Sequence, residues 1–300
     1  MDIGYIGLGK MGLAMCQLLQ EKGHTVTAYN RGEDGRTEGR YVGLNVKDSI
    51  ADMMAELPET KILWLMVTHT AVDAVLAEVV PHLKAGDIVI DGGNSRYTET
   101  ILREVQLKEK GIHFLDAGIS GGPAGARTGT CVMIGGEKAI FEKVEPIFKD
   151  ISVTDGYGYM GRSGAGHFVK MVHNGIEYGM MQAIGEGFEV LHTSDFNLDM
   201  ERIADLYQHK SVIESRLVGW LAQSYKKHTA ELEHISGSVS HSGEGQWTVE
   251  TAKELGVPVP IIEGSLQFRV DSTQNPSYTG KVVSALRHEF GGHDVADNTK

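Results

Sequence analysis

Five polar side chains recur at one helical spacing in the middle of the chain. Lys170, His173, Asn174, Glu177 and Tyr178 fall at i, i+3, i+4, i+7 and i+8, which a helix gathers into a single stripe. Phe168, Val169, Met171, Val172, Ile176 and Met180 cover most of the remaining circumference. A helix with so apolar a body should be buried, so its polar stripe faces either solvent or a wet cleft. Ordinary surface stripes repeat Lys, Glu and Gln. This one combines an amine, an imidazole, an amide, a carboxyl and a phenol, the range of groups that a small polyhydroxylated substrate requires.

A second signal stands near the start. Gly7-Leu8-Gly9-Lys10-Met11-Gly12 matches Gly-x-Gly-x-x-Gly between an expected strand and an expected helix, the context in which the motif binds a dinucleotide. The first glycine permits the tight turn and the second lets backbone approach a pyrophosphate. The third allows close helix–sheet packing, and N–H groups at the helix start face the anion. The second strand ends in Tyr29-Asn30-Arg31-Gly32, with no acid before Glu33 and Asp34. A carboxylate at that place holds a ribose 2′-hydroxyl, whereas an arginine accommodates a 2′-phosphate. Asn30 repels no phosphate and Arg31 can pair with one, so NADP is favoured over NAD. Glu33 and Asp34 keep NAD open. Val67, closing an apolar run, and Asn94 join the residues expected at the cofactor.

Two further loops suit an oxygen-rich ligand. Asp91-Gly92-Gly93-Asn94-Ser95 follows an expected strand, at the carboxyl edge where such sheets bind ligands. Ser120-Gly121-Gly122-Pro123 follows another and offers backbone N–H groups with little steric cover. Either loop could equally be a turn and nothing more.

The elements that must position these residues change character along the chain. Strands are expected over 3–7, 25–29, 61–67, 87–91, 112–116 and 130–134, and helices over 11–22, 48–56, 71–83, 98–110 and 137–149. Such alternation implies a parallel sheet with helices on both faces. Gly156, Gly158, Gly161, Gly164 and Gly166 then read as a flexible bridge. Only helical periodicity follows, over 167–192, 198–209, 212–227, 246–255, 260–272 and 280–290. The expected fold class is therefore α/β: an N-terminal Rossmann-like doubly wound sheet over 1–160, followed by an all-α domain over 161–300 that ends in a polar tail.

Composition narrows the function. Lys and Arg number 28 against 40 Asp and Glu, a formal charge of −12, which argues against general affinity for nucleic acid. The longest apolar run, 62–67, falls far short of the roughly 20 residues of a membrane helix. The first residues lack the basic start and apolar stretch of a signal peptide. Cys16 and Cys131 both lie among small and apolar neighbours and read as reduced core cysteines. The 13 histidines show no paired metal spacing. A cytoplasmic protein without membrane, nucleic-acid or metal partners is expected.

Taken together, these motifs resemble the 6-phosphogluconate dehydrogenase family, the decarboxylating enzymes of the pentose phosphate pathway. The resemblance runs through Gly7 to Gly12, Ile90-Asp91-Gly92-Gly93-Asn94-Ser95, Ser120-Gly121-Gly122 with Gly125-Ala126-Arg127, and Gly164 to Gly179. It continues in Gly245-Gln246-Trp247-Thr248, Gly256-Val257-Pro258-Val259 and Arg287-His288-Glu289-Phe290-Gly291-Gly292-His293. It implies that hydride leaves C3 of 6-phosphogluconate for the nicotinamide while Lys170 takes the 3-hydroxyl proton. Protonated Lys170 then polarises the 3-ketone during loss of CO2, and Glu177 protonates C1 to give ribulose 5-phosphate. No metal is called for. A free lysine near pKa ~10.4 is a poor base at neutral pH, so Lys170 must be tuned by burial beside His173. Glu177 must be held protonated in a dry cleft.

By the same resemblance Asn94, Ser120, Gly121, Gly122, His173 and Asn174 hold the carboxylate and hydroxyls. Tyr178, Arg269, Arg287 and His293 bind the phosphate. The chain lacks the extra helical half of the long family form and is similar to the short bacterial type. A homodimer or homotetramer is implied, with the C-terminal Arg287 and His293 completing a neighbour's site. Ser242 stands where the long form carries a phosphate-binding lysine, which bears on affinity more than on reaction type. A β-hydroxyacid dehydrogenase of the 3-hydroxyisobutyrate kind would use Lys170 without Glu177 or a phosphate site. An idle NADP-binding sensor would bind cofactor without turnover.

Overall fold

The computed structural model describes residues 1–240, 243–292 and 295. The chain forms two compact units, Met1–Met171 and Val172–Lys300. The first contains β1 (Asp2–Ile6), α1 (Lys10–Glu21), β2 (Thr25–Tyr29), α2 (Glu33–Tyr41), β3 (Asn45–Lys47), α3 (Ile50–Glu56), β4 (Ile62–Leu65) and α4 (Val72–Val79). It continues with β5 (Ile88–Asp91), α5 (Tyr97–Lys108), β6 (His113–Ser120), α6 (Gly122–Thr128), β7 (Thr130–Gly136), α7 (Lys138–Asp150) and β8 (Ser152–Gly161). The strands make one sheet in the order β3-β2-β1-β4-β5-β6-β7-β8.

β1 to β6 run parallel. β4 and β5 are buried at every residue, which is why Ile-Leu-Trp-Leu and Ile-Val-Ile read as continuous apolar runs rather than alternating ones. Because these strands point one way, the segments after β1, β2, β4, β5 and β6 share a single edge. Sequence order reverses between β1 and β4, the place where sheets of this kind open a crevice for ligands.

The expectation of a parallel sheet fails at β7, which pairs antiparallel with β6. The connection, residues 121–129, contains only the short α6, and a parallel crossover needs a dozen or more residues. β8 then returns parallel to β7 through α7. The expected glycine bridge is also corrected, since most of it is the edge strand β8. There Gly156 and Gly158 alternate with Tyr157 and Tyr159, whose rings pack on the core, and the Tyr159 hydroxyl donates to the Gly136 carbonyl at 2.9 Å. Cys16 is buried as expected, whereas Cys131 is exposed on the outward face of β7.

The second unit is helical. The long α8 (Ala165–Thr193) starts in the first unit and continues into it. α9 (Met200–Tyr207), α10 (Arg216–His228), α11 (Glu244–Glu254), α12 (Pro260–Ser272) and α13 (Tyr278–Gly291) follow. Met181, Phe188, Leu217, Leu221, Tyr225, Val282 and Leu286 belong to its core. Side-chain caps at Asp199, Ser215 and Ser277 start α9, α10 and α13. Among the described residues no helix is long and apolar enough to cross a membrane.

Candidate active site

The turn after β1 is a cradle that tolerates no side chain at two of its glycines. A Cβ on Gly7, whose φ is +107°, would lie 2.3 Å from the Met66 carbonyl oxygen, and one on Gly12 would lie 1.9 Å from the Gly7 carbonyl oxygen. At Gly9 the same Cβ would meet nothing within 4 Å. The middle glycine therefore borders open space at the start of α1, where a pyrophosphate can approach the backbone. Val67 lies beside this turn, and its carbonyl oxygen would be 2.6 Å from a Cβ on Gly93. Leu8, Lys10 and Met11 complete the stretch. These residues fit a dinucleotide.

Asn30 turns inward: its Oδ1 accepts from the Leu8 N–H at 2.9 Å and its Nδ2 donates to the Gly32 carbonyl at 3.0 Å. It braces the cradle. Arg31 is exposed at the same edge. Arg36, which the sequence reading passed over, donates to the carbonyls of Asn30 (2.9 Å) and Arg31 (2.8 Å) and to Glu33 at 2.7 Å. The acid nearest Arg31 is thus already engaged by a neighbouring guanidinium.

At the end of β5 one carboxylate builds the next loop. Asp91 is fully buried; its Oδ1 accepts from the Gly93 N–H at 3.0 Å and its Oδ2 from the Ser95 hydroxyl at 2.7 Å. The Arg103 guanidinium stands 3.8 Å away, anchored in turn by Asp73. Gly92, Gly93 and Ser95 are buried while Asn94 is exposed, so this turn projects a single polar side chain. Ser120, Gly121 and Gly122 end β6 at the same edge, with φ of +144° and +64° at the two glycines.

Lys170 is positioned from β6. A Cβ on Gly118 would sit 2.4 Å from the Lys170 Cβ, so the helix lies directly on the strand's backbone. The buried Asp116 carboxylate accepts from the N–H groups of Gly164 and His167, both at 2.8 Å, which satisfies donors at the start of α8. Burial holds the Asp116 carboxyl above its usual range, opposed by nearby His167 and by these two backbone bonds. His167 Nδ1 is 2.8 Å from the Thr100 hydroxyl.

Along α8 the two sides are reversed relative to an ordinary surface helix. Lys170, Asn174 and Tyr178 are buried, His173 and Glu177 partly so, whereas Ile176 and Met180 are exposed. The polar stripe faces inward. Glu177 Oε2 stands 3.8 Å from His173 Nδ1, and that nitrogen lies 2.9 Å from Asn174 Oδ1.

Within the helical unit Tyr178 carries one arginine and has a second nearby. The Arg269 guanidinium carbon lies 3.3 Å from the Tyr178 ring centroid, a cation–π contact, and Arg287 Nη1 donates to the Ser240 hydroxyl at 2.7 Å. Both are nearly inaccessible, at 2 % and 6 %. Arg269 is lowered to about 10, chiefly by desolvation and also by Arg287, with Tyr178, Glu177 and Glu244 opposing the shift. Arg287 is lowered by burial and opposed by Tyr178, Glu244 and Glu177. The buried Val282, Val283, Ala285 and Leu286 hold α13 within the helical unit, and Arg287 stands there among Tyr178, Glu244 and Glu177. Ser242 and His293 lie outside the described residues.

Fold and cradle define a dinucleotide-binding oxidoreductase made of a Rossmann-type domain and a helical domain. Residues 2–161 match the family model described as the NAD binding domain of 6-phosphogluconate dehydrogenase, and residues 166–296 match its C-terminal domain. The chain belongs to the 6-phosphogluconate dehydrogenase family. It is 49% identical to YqeC of Bacillus subtilis, named provisionally as a 6-phosphogluconate dehydrogenase, across 98% of both chains. With the NAD(+)-dependent, decarboxylating 6-phosphogluconate dehydrogenase of Haloferax volcanii it shares 39% identity across 99% of both. The Plasmodium falciparum 6-phosphogluconate dehydrogenase, solved with NADP+ and with 6-phosphogluconate, superposes with a TM-score of 0.82 at 28% identity. That match covers all of this chain and 67% of the other.

Asp116, Arg36, Arg103, Gly118 and Glu244 do not stand out in the sequence. Asp116 still carried a signal, being an acid inside a run of buried residues in β6. The others act through tertiary neighbours that no local pattern reveals.

Proposed function

We propose that the chain oxidatively decarboxylates 6-phospho-D-gluconate to D-ribulose 5-phosphate and CO2, with NADP the favoured acceptor. The observation that carries this reading is the inverted α8, whose stripe is buried at Lys170, Asn174 and Tyr178 and half-buried at His173 and Glu177, and leads through Tyr178 to two buried arginines. The two guanidiniums are nearly inaccessible, the pKa of each is lowered by burial and that of Arg269 also by Arg287, and a dianionic phosphate is a ligand that suits them. A β-hydroxyacid dehydrogenase has no use for that pair.

The nicotinamide cofactor, held by residues 7–12, Val67 and the Asn30–Arg31 turn, supplies a hydride acceptor when bound. Arg31 is proposed to pair with the 2′-phosphate, in an edge where Arg36 already engages Glu33. Asn94, Ser120 and the Gly121 and Gly122 N–H groups orient the substrate's carboxylate and hydroxyls, together with His173 and Asn174. Tyr178, Arg269 and Arg287 hold the phosphate. Lys170 Nζ takes the proton of the 3-hydroxyl as C3 is oxidised and then donates a hydrogen bond to the ketone oxygen. That bond draws electron density from the C1–C2 side, so the carboxylate leaves as CO2. Glu177 delivers a proton to C1 of the enediol.

The test is a steady-state assay of 6-phosphogluconate with NADP and with NAD, trapping CO2 and identifying the pentulose phosphate. Lys170→Ala should abolish turnover while leaving cofactor affinity near that of the parent. Substantial residual activity would remove Lys170 from the role of base.

A further inference from the structure

Glu244 opens α11 and is only 7 % exposed. Its neighbour Gly245 packs hard against the Tyr178 ring, since a Cβ there would sit 2.4 Å from the ring's Cε2. The Arg269 guanidinium lies over that same ring. The start of α11 is thereby fixed against the same phenol that carries the guanidinium. The Glu177 and Glu244 carboxylates both push Arg269 and Arg287 back towards their charged forms; Glu177 is given to the reaction, which leaves Glu244 as the acid with no other part in it.

Two buried cations of like sign destabilise a fold unless an anion sits near them. A substrate phosphate provides that anion only while bound. We infer that Glu244 is the resident counter-anion of the Arg269–Arg287 pair, a specificity-determining residue that holds the pair together in the ligand-free chain and competes electrostatically with the incoming phosphate. This inference rests on the reading that the two arginines receive the substrate's phosphate. It goes beyond it by assigning the site's affinity to an acid. The residue trades tight anion binding for a cluster already assembled before substrate arrives, and it rejects small inorganic anions that bring no further contacts.

The experiment compares the parent protein with Glu244→Gln, which keeps shape and hydrogen-bonding reach, using inorganic phosphate as the probe. Titration calorimetry and thermal unfolding are read with and without phosphate. The expected result is paired and opposite: the ligand-free Tm falls, while inorganic phosphate binds about tenfold more tightly (about 1.4 kcal/mol) and raises Tm more than in the parent. A merely structural role lowers Tm and weakens phosphate binding together. Unchanged or weaker phosphate binding in Glu244→Gln overturns the inference, and Glu244→Ala, read the same way, covers failure of the first variant to fold. Because the probe is inorganic phosphate, the result stands apart from whether 6-phosphogluconate is turned over. A parent protein inert towards 6-phosphogluconate sinks the functional reading alone.

Discussion

Gly118 in β6 and Lys170 in α8 approach so closely that a single added methyl group cannot fit between them. The ideal Cβ at Gly118 would stand 2.4 Å from the Lys170 Cβ and 3.0 Å from the Gly166 carbonyl oxygen. The proposed base is therefore set by backbone seated on backbone, not by a flexible side-chain network. Gly118→Ala should displace the first turns of α8 by several tenths of an ångström or more and cost about 1–3 kcal/mol of stability through overpacking. Because catalysis depends on near-attack geometry, kcat should drop by at least about tenfold. Cofactor affinity, set at the other end of the sheet's edge, should hold. Fluorescence titration with NADPH alongside the assay separates the two; equal losses in both would show a general unfolding defect instead.

The cofactor edge yields a sharper comparison. Arg31 is exposed beside the cradle while Arg36 occupies Glu33. Arg31→Ala should lose a charge-assisted contact worth about 1.5–3 kcal/mol, raising KM for NADP roughly tenfold to a hundredfold and leaving NAD nearly unaffected. Losses of the same size for both cofactors would mean that Arg31 does not read the 2′-phosphate.

Asp116 makes a prediction about pH. Its carboxyl is buried, its pKa is raised above 3.8, chiefly by desolvation, and it accepts from Gly164 and His167. As pH climbs from the unfolded value through the raised folded one, the native state keeps a proton that the unfolded chain has released. Asp116's contribution to stability therefore declines across that window and is level above it. Asp116→Asn removes the titration and turns a donor towards one backbone N–H, costing about 1–3 kcal/mol. Urea unfolding between pH 4 and pH 7 should show the gap between the two proteins widest at the acid end. A gap that widens towards neutrality would make the ionised carboxylate the favoured form.

What could be read in advance followed from local chemistry. The cradle at residues 7–12 and the stripe on α8 are periodic or contiguous, so sequence alone places them. α2 was missed because its sequence, Glu-Asp-Gly-Arg-Thr-Glu-Gly-Arg-Tyr, buries only Gly39 and so carries no apolar period. β8 was missed because its glycines mask the alternation of Tyr157 and Tyr159. The direction of β7 was recoverable from the length of residues 121–129, a constraint that strand–helix alternation alone does not express. Asn30 shows the converse: its position in the motif suggested a cofactor contact, and its amide is engaged with Leu8 and Gly32. Only the folded loop reveals that.

The reversed helix also bears on assembly, which is proposed here to be a homodimer or homotetramer. On the open side of α8, Ile176, Met180, Ala183, Gly187 and Val190 are all exposed, at steps of four, three, four and three residues. That is the spacing of an apolar seam between two packed helices, and the small side chains at 183 and 187 let a partner helix come close. Ile176, Met180 and Val190 leave 53 %, 43 % and 72 % of their surfaces open, a continuous line of apolar surface that solvent disfavours. Light scattering at micromolar concentration should therefore return a mass above that of one chain. Met180→Glu combined with Val190→Glu should reduce it to a single chain by placing like charges along the seam, with α8 itself retained by circular dichroism. A parent protein that runs as one chain, or a double variant that keeps its full assembly, would take α8 out of the interface.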